Sequence, residues 1–202
     1  MTYLDPAKEI QKRAEALASS INAALNAHYA KAKKAANQIA VSVSKAAAAA
    51  KVRTPEQQAA LVLKGTSWTC NSAHMSDAGR HILVRIGGAP TWDLKSVAKN
   101  HPTAWAVLET RWNAGMVAQN LRNFAGNKSF NPWSSDPLHV ELPDSRLPDT
   151  DPRVIRCLEV YAKATREEGK AKNKKYETTD GSLFQKTWLK NYDAKLAAKK
   201  GP

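Results

Sequence analysis

The sequence predicts a mainly α-helical protein whose two ends are basic. Apolar residues recur every three or four positions over most of the chain, and glycine or proline interrupts this spacing at few points. The predicted architecture is a long basic N-terminal helix, with a bend allowed at 41–44, followed by a bundle-like helical body, a proline-rich extended strap and a basic C-terminal helix. The corresponding segments are 1–53, 54–126, 127–152 and 153–202.

The N-terminal helix is predicted from a strong start signal and a long apolar stripe. Asp5 supplies a capping carboxylate, and Pro6 occupies the first helical position. Neither glycine nor proline follows until Pro55, and small or apolar residues recur on one face from Ile10 to Val43. The opposite face is rich in lysine and amide side chains. Two interpretations stay open at this point, a helix facing nucleic acid and an alanine-rich helix packing in a bundle.

The body of the protein is predicted from capping signals and one aromatic stripe. Thr54–Gln57 has the sequence of a capping box and opens a short helix that ends at Gly65. Residues 82–86 fit either a buried strand or a short helix, because their apolar run is too short for periodicity to decide. A longer helix is expected from Pro102 to Phe124. Its stripe is predicted to be core: Trp105, Leu108, Trp112 and Met116.

The C-terminal third begins with a segment too rich in proline to be helical. Five prolines lie within 127–152, which predicts an extended strap with Trp133 and Leu138 as anchors. Asp151 and Pro152 then repeat the start signal of the first helix. A last amphipathic helix is predicted to be capped by Ser182, with an apolar side formed by Phe184, Trp188, Tyr192 and Leu196.

The distribution of charge is the main indication of function. The net charge is +13, of which residues 1–53 contribute +6 and residues 153–202 contribute +7, while residues 54–152 are neutral. Such segregation is typical of proteins that bind a polyanion. Lysine exceeds arginine at both ends, which favours contacts with phosphate over bidentate recognition of bases. The alternative is that these lysines only keep the ends solvated.

The predicted nucleic-acid-binding residues are cationic and amide side chains of the two ends. They are Lys8, Lys12, Lys33, Lys34, Asn37, Lys45, Lys51, Arg53, Lys170, Lys172, Lys174, Lys175, Lys186 and Lys190. If the first helix were continuous, Lys12, Lys34 and Lys45 would fall within roughly 60° of one another around its axis. Those three lysines would then face phosphate together, opposite Ile21 and Ile39.

Enzymatic, membrane and metal-binding functions receive little support. The chain has no glycine-rich phosphate loop, zinc-protease helix or nucleophile elbow, so no catalytic residue and no cofactor are expected. No secretory signal and no apolar run of membrane-spanning length is present. Cys70 and His74 have a spacing seen in metal sites, which His81 or Cys157 could complete. A single such pair is common by chance, and two distant cysteines make no disulfide framework, so no metal is expected.

The basic, alanine-rich segment Asp5–Arg53 and the helical remainder resemble the α-helical coat proteins of filamentous archaeal viruses that wrap A-form DNA. The resemblance implies paired subunits that clamp DNA between their N-terminal helices, and it favours DNA over RNA. It also implies a virion protein assembled in the host cytoplasm. Self-association is expected through the first helix and the surface around Trp105 and Trp112, because a helix this long exposes much apolar stripe.

The expected function is therefore structural. The protein would be a coat or nucleocapsid subunit that packages nucleic acid without reading its sequence and assembles with copies of itself or with a related subunit. A ribosome-associated or other ribonucleoprotein subunit, or an internal or connector protein of a phage, would share the same basic ends. The number of copies per particle distinguishes a coat subunit from a ribosomal one.

Overall fold

The chain forms two compact units, each assembled from two stretches of sequence. The first unit combines Met1–Ala49 with Ala78–Ser145, and the second combines Ala50–Asp77 with Arg146–Pro202. The computed structural model describes residues 5–32, 38–44, 52–67, 69–123, 125, 127–132, 134, 136–180 and 182–200.

The described residues form six α-helices and four strands, which are interspersed along the chain. The α-helices are α1 (Pro6–Ala32), α2 (Pro55–Leu63), α3 (Leu94–Asn100), α4 (Pro102–Ala118), α5 (Pro152–Ala162) and α6 (Leu183–Lys200). The strands are β1 (Ile39–Val43), β2 (Gly79–Ile86), β3 (Ala89–Thr91) and β4 (His139–Glu141). A 3₁₀ turn at Ala73–Met75 and π turns at Lys163–Glu167 and Tyr176–Asp180 complete the regular structure of the described residues.

The first unit is built around a four-stranded antiparallel sheet in which β2 is central. Strand β1 pairs with the second half of β2, and β4 pairs with its first half. Strand β3 follows β2 through a two-residue turn formed by Gly87 and Gly88. Both glycines have positive φ, 54° and 86°, which matches the turn that the right-handed twist of a hairpin requires.

This sheet shows that the prediction of a mainly helical bundle was wrong, and the fold is mixed α/β although mostly helical. The predicted long helix ends at Ala32, and Ile39–Val43 forms strand β1 instead. The physical reason is the alternation of Ile39 and Val41, which are buried, with half-buried residues between them. The side chain of Asn22 on α1 also bonds both the N–H and the C=O of Val41, at 2.9 Å each, which fixes this strand against the helix.

Residues 82–86, for which the sequence left strand or helix open, belong to strand β2. Helix α4 ends at Ala118, six residues before the predicted end at Phe124. Asn120 has a φ of +47°, and the N–H of Leu121 bonds the C=O of Met116 at 2.8 Å. A left-handed residue with such a backward hydrogen bond ends a helix because it satisfies the last carbonyl groups.

Helices α1 and α4 pack closely against each other in the core of the first unit. The buried face of α1 contains Ile10, Leu17 and Ile21, all without solvent exposure. A Cβ atom added at Gly115 on α4 would lie 2.3 Å from Leu17 Cδ1, so glycine is what permits this close approach. The predicted core stripe of α4 is confirmed, because its four residues are buried: Trp105, Leu108, Trp112 and Met116.

The proline-rich segment is only partly the extended strap that was predicted. It contains strand β4, which joins the sheet directly. Leu138 is completely buried, as an anchor should be, whereas Trp133 lies outside the described residues. The segment therefore contributes to the core and to the sheet of the first unit.

The second unit packs α2, α5 and α6 around a separate core. Thr54 forms the predicted capping box, and Asp151 caps α5 by accepting a hydrogen bond from the N–H of Arg153. Ser182 accepts a hydrogen bond from the N–H of Gln185 at the start of α6, also as predicted. Most of the buried residues come from these three helices and the second π turn, and they include Val62, Cys157, Leu158, Tyr161, Tyr176 and Leu189.

Among the described residues, no helix has both the length and the apolar character needed to cross a membrane.

Candidate functional site

The predicted N-terminal binding residues fall into three groups. Lys8 and Lys12 are exposed on α1, where Lys8 forms an ion pair with Asp5 at 2.9 Å. Arg53 is half-buried and bonds Gln58 Oε1 at 2.8 Å, so its guanidinium supports the start of α2. The others lie outside the described residues: Lys33, Lys34, Asn37, Lys45 and Lys51.

The expected common face of Lys12, Lys34 and Lys45 required one continuous helix from 10 to 43. Because α1 ends at Ala32 and a strand follows from Ile39, helical spacing cannot relate these three lysines. The buried stripe of α1 is likewise unavailable for pairing between copies, since it forms the core of its own unit.

The net charge is distributed differently over the two folded units than over the segments of the sequence. The second unit contains 17 Lys/Arg and 10 Asp/Glu, a net charge of +7, and the first unit contains 14 and 8, a net charge of +6. Each basic end of the sequence is thus combined with part of the neutral middle, and both units carry a large positive charge.

In the second unit, arginines are engaged with the acidic side chains. Arg166 lies 2.5 Å from Glu177 and 3.0 Å from Asp193. Burial lowers the pKa of the Arg166 guanidinium, but its hydrogen bonds to these two carboxylates outweigh that effect and raise it. Glu177 also accepts a hydrogen bond from the Tyr161 hydroxyl at 2.9 Å, which ties the π turn to α5.

Two further arginines are paired on the surface of this unit. Arg153 bonds Asp151 at 3.0 Å, and this hydrogen bond lowers the pKa of the Asp151 carboxyl. Arg156 lies 3.0 Å from Glu56 and 3.4 Å from Glu159, so it links α5 to α2. These ion pairs neutralise acidic side chains that belong to the second unit.

The lysines of the same unit are mostly left without acidic partners. Lys170 pairs with Glu168 at 3.2 Å, and Lys186 donates a hydrogen bond to the C=O of Thr178 at 3.2 Å. Lys175 is exposed. Within the part of the chain that the structure describes, seven exposed lysines of this unit form no ion pair: Lys64, Lys163, Lys172, Lys174, Lys190, Lys195 and Lys199.

The segment 170–175, here called the lysine loop, is anchored by one asparagine. Asn173 donates from its side chain to the C=O of Val62 at 2.8 Å, and its N–H donates to the Tyr161 hydroxyl at 3.0 Å. Lys172 and Lys174 flank this anchor and are exposed. The loop therefore presents its lysines from a fixed backbone position.

A second constellation, which the sequence did not predict, lies in the first unit. The register of β2 and β4 places His81 directly opposite His139 and Gly79 opposite Glu141. His81 Nε2 lies 3.2 Å from Asp136 Oδ1, and His139 Nδ1 lies 3.8 Å from Asp136 Oδ2. On its other side, His139 Nε2 lies 3.0 Å from Glu141 Oε2. We call these four residues, His81, Asp136, His139 and Glu141, the histidine–carboxylate cluster.

The cluster is buried at one end and open at the other. The side chains of His139 and Glu141 are 5% and 6% exposed, whereas those of His81 and Asp136 are 25% and 34% exposed. The ring of Trp92 meets that of His81 edge to face, with centroids 5.8 Å apart. Trp92 also lines a cleft of about 840 Å³ together with Asp93, Leu94, Lys95, Pro132, Ser134 and Pro137.

Sequence reasoning missed this cluster because the strand pairing that forms it is not local. The sequence offered His81 as a possible partner for Cys70 and His74. The local signal for the cluster was the His-x-Glu spacing of His139 and Glu141, which puts both on one face of a strand. Cys70 is fully buried in the apolar core of the second unit. A hydrogen bond with Cys70 and burial raise the pKa of the Cys157 thiol.

Comparison with protein-family models, curated proteins and solved structures finds no match to this chain.

Proposed function

We propose that the protein binds the phosphate backbone of nucleic acid without reading its sequence, through the lysines of the second unit. The observation that carries this proposal is a difference between the arginines and the lysines of this unit. Arg153, Arg156 and Arg166 form ion pairs with carboxylates, while Lys172, Lys174 and Lys190 are exposed and form no ion pair among the described residues.

This arrangement favours a polyanion as the partner for a physical reason. A lysine already paired with a carboxylate must exchange one anion for another, whereas an unpaired, solvated lysine can replace a condensed counterion on phosphate. Lysine is also a point charge with no fixed donor geometry, so it contacts backbone oxygens without selecting a base. Both properties favour affinity that depends on salt and not on sequence.

The proposal extends to a structural role in packaging. A coat or nucleocapsid subunit in a virion, binding DNA in preference to RNA and assembling with copies of itself, would use such a surface on every subunit. Contacts between copies would have to use surfaces other than the apolar stripe of α1, which is buried. A ribonucleoprotein subunit or a phage connector would bind phosphate in the same way, and copy number per particle separates these alternatives.

A simpler explanation exists for two of the lysines. Lys195 and Lys199 lie in the last turns of α6, where the helix dipole stabilises cations without any ligand. That explanation does not extend to Lys172, which is in a loop, to Lys174, which begins a helical turn, or to Lys190, which is in the middle of α6. These three lysines are therefore the informative ones for a test.

The test is a binding titration of the full chain against labelled oligonucleotides of unrelated sequences, as duplex DNA, duplex RNA and single strands. We expect affinity to fall steeply between about 50 and 200 mM salt and to differ little among sequences of one type. A flat dependence on salt, or a strong preference for one sequence over others of the same type, would contradict the proposal. Electron microscopy of the mixtures would show whether bound protein forms filaments or particles, as the packaging role requires.

A further inference from the structure

We propose that the histidine–carboxylate cluster is a binding site for a divalent transition metal, with Zn²⁺ as the best fit. His81, Asp136 and His139 would be the ligands, and Glu141 would orient His139 from behind. This inference concerns the first unit and is independent of nucleic-acid binding by the second.

The spacing of the three candidate ligand atoms fits a tetrahedral metal. Zinc binds nitrogen and carboxylate oxygen at about 2.0 to 2.2 Å, which places neighbouring ligand atoms of a tetrahedron roughly 3.4 Å apart. The distance from His81 Nε2 to Asp136 Oδ1 is 3.2 Å, and that from His139 Nδ1 to Asp136 Oδ2 is 3.8 Å. One ring nitrogen of His81 also lies within 4.8 Å of one of His139. Small side-chain rotations would bring all three to one ion.

The backbone supports this geometry. His81 and His139 are a cross-strand pair of an antiparallel sheet, so their Cβ atoms are held at the short distance typical of such pairs. Asp136 lies three residues before His139 in the turn that leads into β4, and the C=O of Asp136 accepts a hydrogen bond from the N–H of His139 at 3.3 Å. The carboxylate is therefore held near both imidazoles by its own chain segment.

Glu141 supplies the outer partner that metal-binding histidines generally have. His139 Nε2 lies 3.0 Å from Glu141 Oε2, and a proton on Nε2 leaves the Nδ1 lone pair for a metal on the Asp136 side.

The chemical class of the metal follows from the donors. Two imidazoles with one carboxylate suit zinc and its first-row neighbours, whereas Mg²⁺ and Ca²⁺ prefer oxygen ligands throughout. The partial exposure of His81 and Asp136, and the cleft beside Trp92, would let an ion reach these ligands from solvent.

The competing explanation is an ion-pair network in which protonated histidines hold the two carboxylates without any metal. The test uses the full chain without an affinity tag, treated with chelator and then titrated with Co²⁺ and with Zn²⁺. Co²⁺ reports coordination through its visible absorption, which is intense when the geometry is tetrahedral. We expect saturation at one equivalent per chain, displacement of Co²⁺ by Zn²⁺, and a rise in melting temperature that excess chelator reverses.

Variants locate the site. His81→Ala, which removes a part-exposed side chain, and Asp136→Asn should each weaken Co²⁺ binding by more than the 10- to 100-fold that loss of an outer partner typically costs. Glu141→Gln should weaken it by about 10- to 100-fold and alter the Co²⁺ spectrum. His28→Gln, a change at a half-buried histidine of α1 in the same unit, is the matched control and should bind as the unchanged protein does.

Each outcome decides the question. Absence of a saturable visible band, or Co²⁺ binding that His81→Ala and Asp136→Asn leave intact, would overturn the proposal and leave the ion-pair network. Circular dichroism in chelator shows whether each variant is folded. If Glu141→Gln fails to fold, the His81→Ala variant decides alone, because His81 is at the open end of the cluster.

Discussion

Reversing the charge of three lysines in the second unit should abolish the proposed nucleic-acid binding. The variant is Lys172→Glu, Lys174→Glu and Lys190→Glu in one chain. All three side chains are exposed, and Asn173 and the buried face of α6 hold their backbone independently of them. The fold should therefore survive, which circular dichroism and thermal melting would check.

The magnitude follows from counterion release. Each lysine that contacts a phosphate of duplex DNA contributes about 0.9 to the slope of log K against log salt, so three contacts contribute about 2.7. At about 0.1 M salt this corresponds to roughly a 500-fold loss of affinity. Repulsion between the new glutamates and phosphate adds to that loss, so the estimate is a lower limit.

A matched control separates local contacts from overall charge. The triple change Lys95→Glu, Lys99→Glu and Lys128→Glu alters the net charge by the same amount at exposed positions of the first unit. Anisotropy titrations at several salt concentrations would give the slope for each protein. If the two triple variants lost affinity equally, only net charge would matter. If the second-unit variant kept the unchanged slope, the reasoning from unpaired lysines would be refuted.

Three further outcomes test the packing and the capping. Gly115→Ala should lower the free energy of unfolding by about 1 to 3 kcal/mol in denaturant melts, because the new Cβ meets Leu17. The double variant with Leu17→Ala should lose less stability than the sum of the two single variants. Stability losses that simply add would contradict this. Thiol reagents should modify Cys70 and Cys157 slowly in the native protein and rapidly after denaturation, because both are buried and the pKa of the Cys157 thiol is raised. Rapid labelling of the native protein would contradict this expectation. Thr54→Ala should cost about 1 kcal/mol by removing the capping box, and an unchanged melting midpoint would show that the cap is not needed.

The parts of the fold that the sequence predicted correctly are those encoded by neighbouring residues. The capping box at Thr54 and the cap at Asp151 each depend on residues within one helical turn, and the core stripe around Trp112 covers about three turns of α4. Local hydrogen bonding and helical periodicity decide such features, and both can be read along the chain.

The parts that it did not predict depend on distant partners. Ile39 and Val43 are four residues apart, which fits a helix, and Ile39, Val41 and Val43 also alternate, which fits a strand. Pairing with β2, some forty residues further on, decides in favour of the strand. The histidine–carboxylate cluster needs a second such pairing, between His81 and His139, so the local His-x-Glu spacing of His139 and Glu141 could not identify it alone.

The interleaving of the two units has a consequence for how the protein can be dissected. The chain passes from one unit to the other near Ala49, Asp77 and Ser145, so no single cut separates them. Deleting residues 1–53, the obvious way to test a basic arm, would remove α1 and β1 from the first unit's core, and lost binding would then report misfolding. During synthesis, α1 and β1 also cannot complete their packing until β2 has been made. In the same way, α2 cannot pack until α5 has been made. Point substitutions in the complete chain are therefore the sound route to its function.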